Sequence, residues 1–319
     1  MSRTLYRWHL GIPALLAALS CLAGCTTGEL MTPPAGPAAP SGPVTQGAGT
    51  AIPSQERLSA VSWPADGGSA ADIGGTGVTD GPGATRQVPI ASVAKVMTAY
   101  VILRDHPLNG GGPGPDITVQ PSEAGAYPAQ ARADDSLVPV VAGETITERQ
   151  ALEALLLPSA DNMAWILARW DAGRQAAFVA KMNAAARRLG MTATSYSDPS
   201  GLDSATVSTA ADQVRLGMAA MGVPALAEIA ALPAAFVPVA GVVRNYNTLL
   251  GQDGIVGLKT GSTHAAGGCV LIAAWHQAGG RETLIVAATL GQPGTAATML
   301  PNALQAGHDL VLALDRALS

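Results

Sequence analysis

Charge is scarce in this 319-residue chain: Asp, Glu, Lys and Arg make up 13% of it, against 48% hydrophobic residues. That balance excludes a largely disordered polymer, which needs low hydrophobicity and high charge. The formal net charge is −5, so there is no basic surplus and nucleic acid is excluded as a partner. Cysteine is limited to Cys21, Cys25 and Cys269; with no C-x-x-C pair and no His/Cys cluster, no metal site and no cofactor are expected. Long apolar runs are also missing. The stretch from Leu10 to Leu22 falls short of the ~20 residues that cross a bilayer, and no other run approaches that length. No G-x-S-x-G elbow occurs, which argues against a Ser-His-Asp hydrolase of the α/β type; His264 and His106 have no matched nucleophile.

What is present begins with Arg3 and Arg7, then the apolar stretch, then Leu22-Ala23-Gly24-Cys25. This order is the plan of a secretory signal. Its last four residues resemble a bacterial lipobox, whose cysteine receives a diacylglyceryl group and becomes the first mature residue. Residues 1–24 are therefore expected to be a lipoprotein signal peptide, with Cys25 the lipidated residue and the protein held on the outer face of the cell membrane. Residues 25–55, rich in Pro, Gly and Ala, read as an extended tether. Folded sequence is expected over 56–319. Cys269 then has no disulfide partner and reads as a small buried hydrophobe.

Within the folded part, Leu58–Trp63 and Ser69–Ile73 read as short strands joined by a Pro/Gly turn. Apolar residues Val93, Val96, Met97, Tyr100 and Leu103 repeat at helical spacing and predict a helix over 92–104. Thr147 with Gln150 forms a capping box opening a helix that stops at Pro158. Further helices are expected over 161–170, 174–189 and 209–222. The period then changes. Strands are predicted over 255–260, 268–275 and 283–290, the last two joined as a hairpin, followed by a helix over 302–318. Strands at both ends with helices between them imply an α+β fold: one antiparallel sheet built from both chain ends, flanked by helices, with an all-helical subdomain in the middle.

Three short motifs carry chemistry: Ser92-Val-Ala-Lys95, Ser159-Ala-Asp161 and Lys259-Thr-Gly261. Where a Ser-x-x-Lys pair opens a helix, the hydroxyl and the amine share one face, and the helix N-terminus favours an oxyanion there. A serine hydroxyl needs a base beside it. Lys95 can be that base only when neutral; burial and a second cation, expected from Lys259, both push a lysine that way.

This set is similar to the S-x-x-K, S-D-N and K-T-G motifs of the penicillin-binding protein and serine β-lactamase superfamily. The segments Pro89–Tyr100, Leu155–Ser159, Asp198–Asp203, Ser208–Ala210 and Gly257–Gly261 further resemble the low-molecular-mass D-Ala-D-Ala carboxypeptidases. The resemblance implies a β-lactamase/transpeptidase-like fold and a serine carboxypeptidase that acts on peptidoglycan stem peptides and is acylated by β-lactams. It implies Ser92 as nucleophile, Lys95 as base and Ser159 as proton relay. Lys259, Thr260, Gly261 and Ser262 are expected to line the substrate cleft, with backbone N–H groups of Ser92 and Ser262 as the oxyanion hole. Arg244 is placed near the substrate carboxylate, with a solvated loop charge as the other reading.

One position departs from the pattern. The second motif normally ends in Asn, but here Asp161 stands there and Asn162 follows. A carboxylate beside Lys95 would hold it charged and blunt the base, so either Asn162 turns inward or Asp161 stays and lowers activity. Two alternatives therefore remain: a non-catalytic cell-wall-binding lipoprotein, and a β-lactamase. Class A chemistry uses a Glu for deacylation, and no glutamate occurs between Glu153 and Glu228.

Overall fold

A computed structural model describes residues 57–58, 60–109, 111–133, 135–278 and 281–318. The expected signal peptide, tether and lipidated Cys25 lie outside the described residues. The chain runs β1 (Gly68–Ile73), β2 (Val78–Asp80), β3 (Val88–Pro89), a 3-10 turn (Ala91–Ala94), α1 (Lys95–Asp105), β4 (Asp116–Thr118), α2 (Pro121–Arg132), β5 (Thr145–Thr147), α3 (Glu148–Leu156), α4 (Asp161–Ala172) and α5 (Gln175–Arg188). It continues through β6 (Val207–Ser208), α6 (Ala210–Met221), α7 (Pro224–Ala230), β7 (Ala234–Val237), β8 (Gly241–Arg244), β9 (Ile255–Thr263), β10 (Gly267–Ala278), β11 (Arg281–Gln292) and α8 (Met299–Leu318).

The main sheet has the order β2-β1-β11-β10-β9. Every neighbouring pair is antiparallel, and β1 near the start of the domain pairs with β11 near its end (Ala70 with Ala288). Side chains alternate between the two faces, as the pleat requires. Val270, Ile272 and Ala274 of β10 face a core shared with Leu310, Val311 and Leu314 of α8. Cys269, Leu271 and Ala273 face the helical block, alongside Val93, Met97 and Leu216. The α+β expectation holds.

Capping places the helices where the site needs them. Thr147 Oγ1 accepts from Gln150 N (3.2 Å) while Gln150 Oε1 accepts from Thr147 N (3.1 Å), so α3 starts at its capping box. Thr209 Oγ1 likewise accepts from Asp212 N at the start of α6. One expectation fails: Leu58–Trp63 is not a strand. Arg57 and Leu58 are helical, and Val61 N donates back to Leu58 O in a turn. The outer partner of β1 is instead β2.

Candidate active site

Ser92 sits in the 3-10 turn and Lys95 is the first residue of α1, so three residues bring the amine one turn on from the hydroxyl. Lys95 Nζ donates to Ser92 Oγ at 2.7 Å, to Asp161 Oδ1 at 2.6 Å and to the Ser200 carbonyl at 2.9 Å. Three acceptors use all three protons of an ammonium group. The Lys95 side chain is fully buried and that of Asp161 is only 4% exposed, so water does not dilute the ion pair.

Each acceptor is held from behind. Asp161 Oδ2 accepts from Ser136 N (3.1 Å), and Asp161 N donates to Ser136 O (2.7 Å). Asp198 is the hub of the turn that aims the Ser200 carbonyl. It accepts from Ser200 N (3.1 Å), Ser200 Oγ (2.5 Å), Gly201 N (2.9 Å), Leu202 N (3.1 Å) and Thr206 Oγ1 (2.6 Å). Thr98 Oγ1 on α1 ties the same turn down through Pro199 O (2.6 Å). In the sequence Asp198 stands only as the start of the Asp198–Asp203 segment, because its number of donors depends on the folded turn.

The choice between Asp161 and Asn162 is resolved in favour of the carboxylate. Asn162 faces away from Lys95 and pins the neighbouring loop, with Nδ2 donating to Val138 O (2.8 Å) and Oδ1 accepting from Val138 N (3.3 Å). The expectation of Asn162 as a substrate ligand is therefore corrected, since both ends of its amide are committed to backbone. Ser159, 4% exposed, precedes Asp161 with φ of 64°, and Ala91, beside Ser92, has φ of 47°. Non-glycine residues in this left-handed region are uncommon and strained, and they cluster at functional sites.

The third motif closes the slot from β9. A Cβ added to Gly261 would lie 2.8 Å from Ser92 N and 3.0 Å from Val93 N, so glycine lets the strand reach the backbone at Ser92. Lys259 is buried, and its Nζ donates to its neighbour's carbonyl, Thr260 O, at 2.9 Å. Burial first, and then the Lys95 cation, hold the Lys259 amine well below its usual range, while Asp161 acts in the opposite direction. Lys259 is thus the lysine that burial pushes toward neutrality, while Lys95 holds the buried carboxylate of Asp161. Thr260 is buried and Ser262 half-buried on the same strand. Arg244 ends β8 exposed; two residues on, Tyr246 N donates to Leu157 O, close to Ser159. His264 is exposed in the turn after β9, and His106 bonds Asp171 (3.0 Å) beside Trp170, outside the nucleophile's hydrogen bonds.

A sequence profile of the D-alanyl-D-alanine carboxypeptidases matches residues 78–292. A D-alanyl-D-alanine carboxypeptidase of Mycobacterium tuberculosis is 38% identical over 185 residues, 56% of this chain and 59% of that protein. A D-alanyl-D-alanine endopeptidase of Pseudomonas aeruginosa is 35% identical over 193 residues, again 59% of its length. The matched region thus spans about three fifths of these curated relatives. Among solved structures, the Streptomyces K15 DD-transpeptidase superposes with a TM-score of 0.67 at 25% identity, covering 79% of this chain and 98% of that one.

Proposed function

Because this chain belongs to the D-alanyl-D-alanine carboxypeptidase family, we propose that it removes the terminal D-alanine from peptidoglycan stem peptides through an acyl-enzyme on Ser92. The observation that carries this reading is the 2.7 Å contact between Lys95 Nζ and Ser92 Oγ in a slot closed by β9.

Ser92 Oγ attacks the carbonyl of the penultimate D-alanine while its proton passes to Lys95. The backbone N–H groups of Ser92 and Ser262 hold the oxyanion, a single such donor typically being worth ~3 kcal/mol. Ser159 conveys the proton to the amine of the departing D-alanine, and water then hydrolyses the ester. Lys259, Thr260, Ser262 and Arg244 receive the terminal carboxylate, whose charge restores the cationic form of Lys259. Asp161 Oδ1 accepts a 2.6 Å hydrogen bond from Lys95 that competes with the contact to Ser92, so acylation is slowed without being abolished. No residue supplies a class A deacylating glutamate: Ser195, near where one is expected, is paired through its backbone to Val207 (2.9 Å). β-Lactams therefore acylate Ser92 and stay. The enzyme works outside the cytoplasm, held to the membrane by a lipid on Cys25.

Mass spectrometry of a synthetic pentapeptide after incubation is expected to record loss of one alanine, and fluorescent penicillin is expected to label the wild type but not Ser92→Ala. Equal labelling of both, or of neither, removes the catalytic reading and leaves the binding-only lipoprotein that the Lys95–Asp161 pair favours. Cleavage confined to cross-linked stems would assign the endopeptidase activity named for the Pseudomonas relative.

A further inference from the structure

A cleft of about 410 Å³ lies away from the catalytic motifs, between the segment leading into β1 and the start of α8. One wall is Trp63. Its half-buried indole is seated over Gly81, where an added Cβ would fall 2.3 Å from Cε3, so the ring is fixed in place. The facing wall is one stripe of α8, Asn302, Gln305 and Asp309, completed by Asp66 and Gln292. These polar groups are braced: Gln292 Nε2 donates to Asp66 O (2.8 Å), Asn302 Nδ2 to Pro293 O (2.8 Å) and Gln305 Nε2 to Asp309 Oδ1 (2.9 Å). No lysine or arginine lines the cleft, which disfavours anionic ligands. An aromatic face beside amides and carboxylates suits a neutral polyhydroxyl carrying acetamido groups, with C–H faces on the indole and hydroxyls donating to the carboxylates.

Its position adds a second argument. Gln292 ends β11 opposite Gly268, and Gly267 pairs with Thr263 at the end of β9. Gln292, at the rim of the cleft, therefore lies at the same end of the sheet as Ser262, two strand spacings or ~10 Å away, while α8 covers the face opposite the helical block. The four stem residues up to the reacting carbonyl span ~13–14 Å when extended, comparable with that lateral separation.

We propose that this cleft is a second subsite, which binds the N-acetylated amino-sugar chain of the same polymer whose stem peptide enters the Ser92 slot. The inference rests on the function proposed above for the choice of polymer, but its binding test does not. The full chain, with Ser92 blocked by penicillin where it labels, is titrated with the peptide-free N-acetylglucosamine tetramer by calorimetry. Millimolar or tighter binding is expected, weakened about tenfold in Trp63→Ala and in Asn302→Ala. Because Trp63→Ala can perturb folding, Gln305→Ala on the exposed face of α8 serves as a further variant. The same variants are expected to lower D-alanine release from glycan-linked stems relative to release from free pentapeptide. Absence of binding by the wild type, or binding that survives Asn302→Ala and Gln305→Ala undiminished, overturns the subsite. An enzyme that binds the sugar yet neither labels with penicillin nor releases D-alanine overturns the catalytic reading instead.

Discussion

Lys95 and Asp161 meet at 2.6 Å with both side chains sealed from solvent, so the amine proposed to accept the serine proton is already tied to a carboxylate. Replacing that carboxylate with the neutral amide isostere removes the charge that holds the third proton. Asp161→Asn is expected to acylate with penicillin about tenfold faster near neutral pH, since a hydrogen bond to a charged group is worth ~1.5 kcal/mol. Stopped-flow labelling checks this, and a slower variant would make the carboxylate part of the proton path.

Gly261 gives β9 its approach to Ser92 N. A methyl group there must push the strand off the nucleophile's turn by a few tenths of an ångström or more. Gly261→Ala is expected to lose about 10²-fold in acylation rate while keeping a wild-type circular dichroism spectrum; an unchanged rate would mean that the strand does not set the slot.

Asp198 gathers five donors to present the Ser200 carbonyl to Lys95. Asp198→Ala leaves those donors buried without their acceptor, and is expected to cost about 3 kcal/mol of stability. Urea unfolding measures this, and a loss under 1 kcal/mol would contradict the hub (roughly one ordinary hydrogen bond).

Glu148, fully buried at the start of α3, has no protein partner for either carboxyl oxygen among the described residues. Burial raises its pKa from 4.5 to about 7. The folded state therefore holds this proton more tightly than the unfolded chain, and the group becomes destabilising as pH climbs from the lower value to the higher. Between pH 5 and 8 the wild type is expected to lose about 2–3 kcal/mol more than Glu148→Gln. Equal losses in denaturant titrations would show that the carboxyl does not titrate there.

Cys25→Ala is expected to move the protein from the membrane pellet to the soluble fraction, and unchanged fractionation would refute the lipid anchor.

The contact between Ser92 and Lys95 was legible because a three-residue spacing at a helix start needs no distant information. The same holds for Thr147 and Gln150, which bond within one turn. Whether Asp161 or Asn162 faces Lys95 was not legible, since it depends on the left-handed backbone at Ser159 and on the Val138 loop that captures Asn162. Helix α2 escaped for another reason: it buries no residue and contains Pro128, so it carries no apolar stripe for periodicity to detect. Leu58–Trp63 mixes apolar and small residues just before a Pro/Gly turn, and that composition does not reveal whether a neighbouring strand is available.

The pairing of β1 with β11 joins segments more than two hundred residues apart, Ala70 with Ala288 among them. Long-range pairing of this kind closes late in folding. If the chain is threaded across a membrane N-terminus first, the serine emerges long before the strand that walls its slot. In a chain exported that way, Ser92 would stay without its facing strand until β9 had emerged, so the slot would form only once the sheet could close.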